Sequence, residues 1–156
     1  GNAYFELGLF EKAEEHLSRA LELFERHAEG RNSYAADAMR AVDALIDAAD
    51  TWNVDRAAAG QPPISIGMAV VTGRIIFGAV GDDTRLEYTV IGDPVNLCAK
   101  LEKHNRTALS RALTTCEAFD LAERQGYRAP ETRERCAAVE VEGVPIGVDL
   151  VVIASR

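Results

Sequence analysis

Apolar residues recur at three- and four-residue steps between Tyr34 and Ala58, at Met39, Val42, Leu45, Ile46, Ala49 and Trp52. That spacing puts them on one stripe and predicts a long helix with one face towards a core. Gly60-Gln-Pro-Pro63 supplies the stop, because proline lacks the amide hydrogen a continuing helix needs. The period then shortens to two. Over Ile64 to Val71, Ile64, Ile66, Met68 and Val70 fall on one face and Ser65, Gly67 and Ala69 on the other, which predicts a strand. The second face is small enough for another element to approach closely. Gly73 turns the chain, Ile75 to Val80 reads as a second apolar strand, and Gly78-Ala-Val-Gly81 as a hairpin turn.

Alternation resumes at Arg85 to Ile91, with Arg85, Glu87 and Thr89 opposite Leu86, Tyr88 and Val90. Gly92 permits a sharp turn, Asp93 is a natural N-cap, and Pro94 suits the first helical position. In the helix that follows, Asn96 and Lys100 lie four residues apart and share a face, while Val95, Cys98 and Leu101 turn towards a core. An amide and a cation beside a strand-borne hydroxyl suit a phosphorylated ligand. Spacing alone favours the plainer reading, a solvated helix face. Further on, Ala112 to Cys116 reads as a strand, Glu117 to Gln125 as a helix, and Gly126 as its stop. Val139 to Glu142 and Val144 to Ala154 are expected to form a hairpin about Glu142-Gly143, and charged Ala129 to Cys136 an exposed loop.

Composition narrows the partners. A hydrophobic share of 47% can supply a core, and a net charge of −8 disfavours nucleic acid and anionic membranes. Without an apolar run of membrane-spanning length or a signal-peptide pattern, a cytoplasmic location is expected. Cys98, Cys116 and Cys136 lack metal spacing and read as reduced thiols; His16, His27 and His104 show no ligand pattern. The glycines at 78 and 81 lack the lysine of a phosphate-gripping loop.

The beginning of the chain resembles the later part of one tetratricopeptide repeat, with Gly1, Tyr4, Gly8, Ala13, Leu17 and Ala20 at that motif's small and aromatic positions. Residues 1–28 are thus expected to form a helical hairpin, a partial repeat able to hold a protein partner; an ordinary helical hairpin also fits. His27 to Ser33, with Gly30, reads as the junction to a second domain over 29–156.

The stretch from Ile66 to Arg85, followed by Glu87-Tyr-Thr-Val-Ile-Gly-Asp-Pro-Val-Asn-Leu97, resembles the class III adenylate/guanylate cyclases. Gly73, Gly78, Gly81, Arg85 and Tyr88 through Leu97 match in unbroken register. The resemblance implies an α/β (α+β) fold, a ferredoxin-like sheet covered by helices, with sites formed where two such domains meet. It implies that Thr89 helps read the purine, in the form associated with adenine, and that Asn96 orients the ribose and the reacting centre. Lys100 stands where the family usually has an arginine on the phosphates; lysine keeps the charge but loses the planar fork. The implied substrate is ATP, converted to cyclic AMP and pyrophosphate with Mg²⁺ or Mn²⁺, in partnership with another cyclase domain. Asn96 and Lys100 are the catalytic candidates, and Thr89, Asn96 and Lys100 the substrate-binding ones.

The family's two metal aspartates, and its base-reading lysine, belong to the first half of the domain, and neither motif is found here. Asp37, Asp43 and Asp50 fall on a helical pattern and read as a solvated face, so metal ligands are expected from a missing half or a partner chain. The expectation is the C-terminal portion of a cyclase domain with negligible turnover by itself. A non-catalytic module that dimerises with a complete cyclase is the second reading, and a repeat-type adaptor the third.

Overall fold

A computed structural model of the chain describes residues 33–81 and 86–156. It has the α+β architecture expected. Among the described residues are helices α1 (Tyr34–Ala58), α2 (Asp93–His104) and α3 (Cys116–Arg124). The strands are β1 (Met68–Val70), β2 (Ile76–Gly81), β3 (Leu86–Ile91), β4 (Ser110–Thr115), β5 (Glu134–Val139) and β6 (Val148–Ser155). They separate into two compact units, one of 33–66 with Ala122–Arg128, the other of Gly67–Leu121 with Ala129–Arg156. The tetratricopeptide-like hairpin expected over 1–28 lies outside the described residues. No described helix is long and apolar enough to cross a membrane.

In the first unit, α1 has the limits its pattern predicts. Ala35, Ala36, Met39, Val42 and Ala49 are buried, whereas Leu45, Ile46 and Trp52 are half-buried. Ser33 does not cap the helix; its hydroxyl donates to Asp37 at 2.7 Å. The Gln125 side-chain oxygen does that work instead, accepting from the amides of Ala35 at 2.8 Å and Ala36 at 3.1 Å. A helix N-terminus leaves four amides unpaired, and here a residue far along the chain satisfies two. Near the end of α1, the Asn53 side-chain amide closes a double hydrogen bond with Ile64 beyond the helix, donating to its carbonyl at 3.0 Å and accepting from its N–H at 2.8 Å. Asn53 thereby occupies the backbone groups Ile64 would need in a sheet. Ile64 itself is thus kept out of a ladder, and the strand expected from Ile64 begins at Met68.

The second unit carries a four-stranded mixed sheet in the order β1-β4-β6-β5. β1 runs parallel to β4, with Ala69 opposite Leu113; the other neighbours are antiparallel. Leu113, Leu150, Val151 and Ile153 are buried, so both faces of β6 are covered. Leu101 of α2, Val141 and Leu150 form the centre of a core completed by Ala69, Leu97 and Val148. A side chain at Gly67 would place its Cβ 2.7 Å from a Glu102 carboxylate oxygen, so the small face of this segment does receive a helix closely. Asn105, at the end of α2, is 2% exposed and donates to the Met68 carbonyl at 2.9 Å. It also accepts from the Ser110 hydroxyl at 2.8 Å, tying α2 to β1 and β4.

Three expectations need correction. Gly78 to Gly81 is not a turn: it belongs to β2, paired from Gly78↔Thr89 to Gly81↔Leu86. Without bulky side chains, glycines at both ends mimic turn punctuation while the ladder continues through them. The segment expected to be an exposed loop, Ala129 to Cys136, ends in β5, which begins at Glu134. Most of its side chains are exposed, and so lack the alternation of a half-buried strand. Val139 pairs with Val148, so residues 140–147 form a longer connection instead of a two-residue turn at Glu142-Gly143.

Candidate functional site

β3 delivers the chain into α2 through Gly92, which takes the N-cap position assigned from sequence to Asp93. Asp93 and Pro94 therefore both lie in the first turn, where a carboxylate suits the positive end of the helix dipole. The junction is tightly fitted. A Cβ on Gly92 would lie 2.9 Å from the Arg74 carbonyl oxygen, and one on Gly73 would fall into the Pro94 ring. Glycine at both positions lets residues 73–75 and the start of α2 touch backbone to ring, which fixes where α2 begins.

Thr89 is half-buried near the end of β3, opposite Gly78 of β2. A glycine opposite leaves space over the Thr89 side of the ladder, since paired residues share a face. Asn96 is exposed on the first turns of α2, and Lys100 half-buried one turn later on the same side of the helix. Helix geometry thus brings Asn96 and Lys100 onto one face, with Thr89 on the strand feeding it. The Lys100 ammonium donates to the Gly143 carbonyl, in the connection between β5 and β6. That partner was not foreseen. The two residues are 43 positions apart, and Gly143 carried only a turn signal in sequence.

The inward side of α2 is occupied by packing. Leu101 is fully buried, and the Cys98 thiol donates to the Ala69 carbonyl at 3.3 Å. Burial pushes the Cys98 thiol above its ordinary value of 9.0, against the lowering effect of a backbone hydrogen bond at Val71. Cys98 is accordingly a packed neutral thiol, as expected from its place in the helix.

No metal centre assembles among the described residues, where no three His, Cys, Asp or Glu side chains form a group able to hold an ion. The acids on α1 have structural partners: Asp37 accepts from Ser33 and pairs with Arg40 at 2.7 Å, and Asp43 accepts from the Tyr127 phenol at 2.7 Å. These residues do not fit a Mg²⁺ or Mn²⁺ site, which needs several convergent oxygen donors.

No family model matches the chain. An uncharacterized protein of Mycobacterium tuberculosis is 33% identical over 109 residues, which is 63% of this chain and 20% of that protein. The chain spans about a fifth of the length of the curated relatives it matches. Among solved structures, the adenylyl cyclase CyaB from P. aeruginosa aligns over 96% of this chain and 84% of its own, with TM-score 0.69 and 21% identity. The guanylyl cyclase Cya2 aligns over 92% and 78%, with TM-score 0.58 and 18% identity. The chain shares the fold of these cyclases.

Proposed function

We propose that this chain supplies the base-, ribose- and phosphate-contacting half of a nucleotide cyclase site, acting on ATP to give cyclic AMP and pyrophosphate in intracellular signalling. The observation that carries the reading is the placement of Asn96 and Lys100 on one face of α2, fed by the strand that bears Thr89, in a cyclase-like fold. In the reaction the ribose 3′-hydroxyl attacks the α-phosphate, a P–O bond to that oxygen forms, and the bond to pyrophosphate breaks. Such chemistry needs placement and charge balance more than covalent participation. The Thr89 hydroxyl would exchange a hydrogen bond with the adenine edge. The Asn96 amide would hold the ribose so that its hydroxyl faces phosphorus, and Lys100 would offset negative charge on the phosphates. Divalent metal would be held by acids outside this set, on a second cyclase domain or elsewhere in a longer protein.

Pairing with a second cyclase domain is supported by the hairpin of β2 and β3. Ile76 is 72% exposed and Phe77 70%, and their ladder partners Ile91 and Val90 are also exposed. Phe77 and Val90 share one face of the ladder and Ile76 and Ile91 the other, and an exposed apolar pair on a face suits burial against another surface. The proposed setting is cytoplasmic.

The test is cyclic AMP formation from ATP with Mg²⁺ or Mn²⁺. The purified chain alone is expected to give negligible product, and a mixture with a cyclase domain bearing metal aspartates to give substantial product. Asn96→Ala should abolish the complemented activity; unchanged output would remove Asn96 from the site. A second reading, a regulatory module that pairs with a cyclase without binding nucleotide, is favoured by the absence of an acidic cluster among the described residues. Equilibrium binding of ATP separates the two, because a regulatory surface has no need of it.

A further inference from the structure

We infer that the turn at 141–144 is the positioning element for the Lys100 ammonium, standing in for the rigidity that lysine lacks relative to arginine. The inference rests on the reading above, in which Lys100 meets phosphate. A lysine side chain is a point charge on a flexible four-carbon stem, without the pre-organised planar fork of arginine, so holding it in one place costs rotamer freedom. Here the residue is half-buried and its ammonium is held, at an exposed contact, by the Gly143 carbonyl. A neutral carbonyl takes one of three donors and leaves the positive charge and two N–H groups for an anion.

The turn is built for that approach. Gly143 sits at φ +75°, a conformation open to glycine; a Cβ there would meet Lys100 Cε at 3.4 Å and its Nζ at 3.5 Å, ordinary contact, so the backbone angle and not space is what glycine supplies. The Val144 N–H donates to the Val141 carbonyl at 2.9 Å, which closes the turn. Val141 is buried against Leu101, the residue after Lys100, and Leu150. One hydrophobic cluster thereby fixes both the helix that carries the lysine and the turn that receives it. The carbonyl is placed before any ligand arrives, which is the condition for lowering the cost of ordering.

The chain has three lysines, Lys12, Lys100 and Lys103, so their side-chain signals can be told apart. With ¹⁵N-labelled lysine in the full chain, the Lys100 ammonium is expected to exchange with water more slowly than that of Lys103. The difference should vanish in Gly143→Ala and persist in Gly143→Asn, since asparagine tolerates this backbone conformation. Titration with inorganic tripolyphosphate should show about a fivefold loss of affinity in Gly143→Ala, none in Gly143→Asn, and no effect of Gly143→Ala in a Lys100→Ala background. Equal exchange at Lys100 and Lys103 in the unmodified chain would overturn the inference, as would an affinity loss that persists without Lys100. A slowly exchanging Lys100 combined with equal tripolyphosphate affinity in the unmodified chain and Lys100→Ala would instead sink the phosphate role of Lys100 and leave the turn a structural contact.

Discussion

The Tyr127 phenol donates to the Asp43 carboxylate across 84 positions of sequence, at 2.7 Å, while the ring itself is 1% exposed. A buried aromatic after α3 is thus tied by its one polar atom to the middle of α1. Removing that atom leaves the packing intact and the carboxylate short of a partner. Tyr127→Phe should destabilise the chain by about 1.5–3 kcal/mol, the range for a hydrogen bond to a charged group. Urea unfolding should show a lower midpoint at unchanged slope.

Asn105 offers a sharper test of polar satisfaction in the second unit. Its amide donates to the carbonyls of Met68 and Glu102 and accepts from Ser110. Asn105→Leu should cost about 3 kcal/mol or more, because several buried groups lose their partner together, whereas Ser110→Ala should cost about 1 kcal/mol. The comparison is made by thermal or urea unfolding of the two variants.

The raised Cys98 thiol makes stability depend on pH in a defined direction. Below the ordinary thiol value of 9.0 both folded and unfolded forms are neutral, and the preference for the neutral thiol is fully expressed. Above it the unfolded chain loses its proton first, so stability falls as pH rises through the higher folded value. Cys98→Ala should flatten the alkaline limb of a stability profile, and Cys98 should be slow to react with thiol reagents in the native chain.

Ala138 lies at φ +49°, in an irregularity between Cys136 and Val139, with its amide donating to Asp149 at 2.8 Å. Ala138→Gly should therefore gain about 0.5–1 kcal/mol despite glycine's entropy. Gly147→Ala should lose about 1–3 kcal/mol, because the new Cβ would lie 2.8 Å from the Ala138 carbonyl oxygen, a backbone atom that cannot swing away. Differential scanning calorimetry distinguishes the two signs.

Exposed Phe77 of β2 yields a concentration test of the proposed pairing. Phe77→Asp should leave thermal stability near that of the unmodified chain but lower complemented cyclic AMP formation about tenfold at limiting partner, a loss of about 1.4 kcal/mol. Excess partner should restore it. An equal loss at every partner concentration would place the defect in the site and not in assembly.

What could be read from residues alone follows from how local each feature is. α1 was legible to the residue because a 25-residue periodic stretch ends in Gly60 and two prolines. The β3-to-α2 junction was legible to within one position, since Gly92, Asp93 and Pro94 each carry a turn or helix-start signal. Thr89, Asn96 and Lys100 could be singled out, but not the Gly143 carbonyl that holds Lys100, because a backbone acceptor leaves no side-chain trace. Gln125 as the cap of α1 was invisible for a related reason: capping by a distant residue has no spacing rule. β5 was missed because its exposed, charged residues carry no period.

The parallel register of β1 with β4, Met68↔Ala112 to Val70↔Thr114, has a kinetic corollary. β4, β6 and β5 pair across the last third of the chain, whereas β1 must wait for the β2–β3 ladder and α2 to fall between it and its neighbour. Closing a long loop before any reward arrives is slow. The three-residue β1 should dock last during refolding, and its amides should be the first of the sheet to exchange their hydrogens.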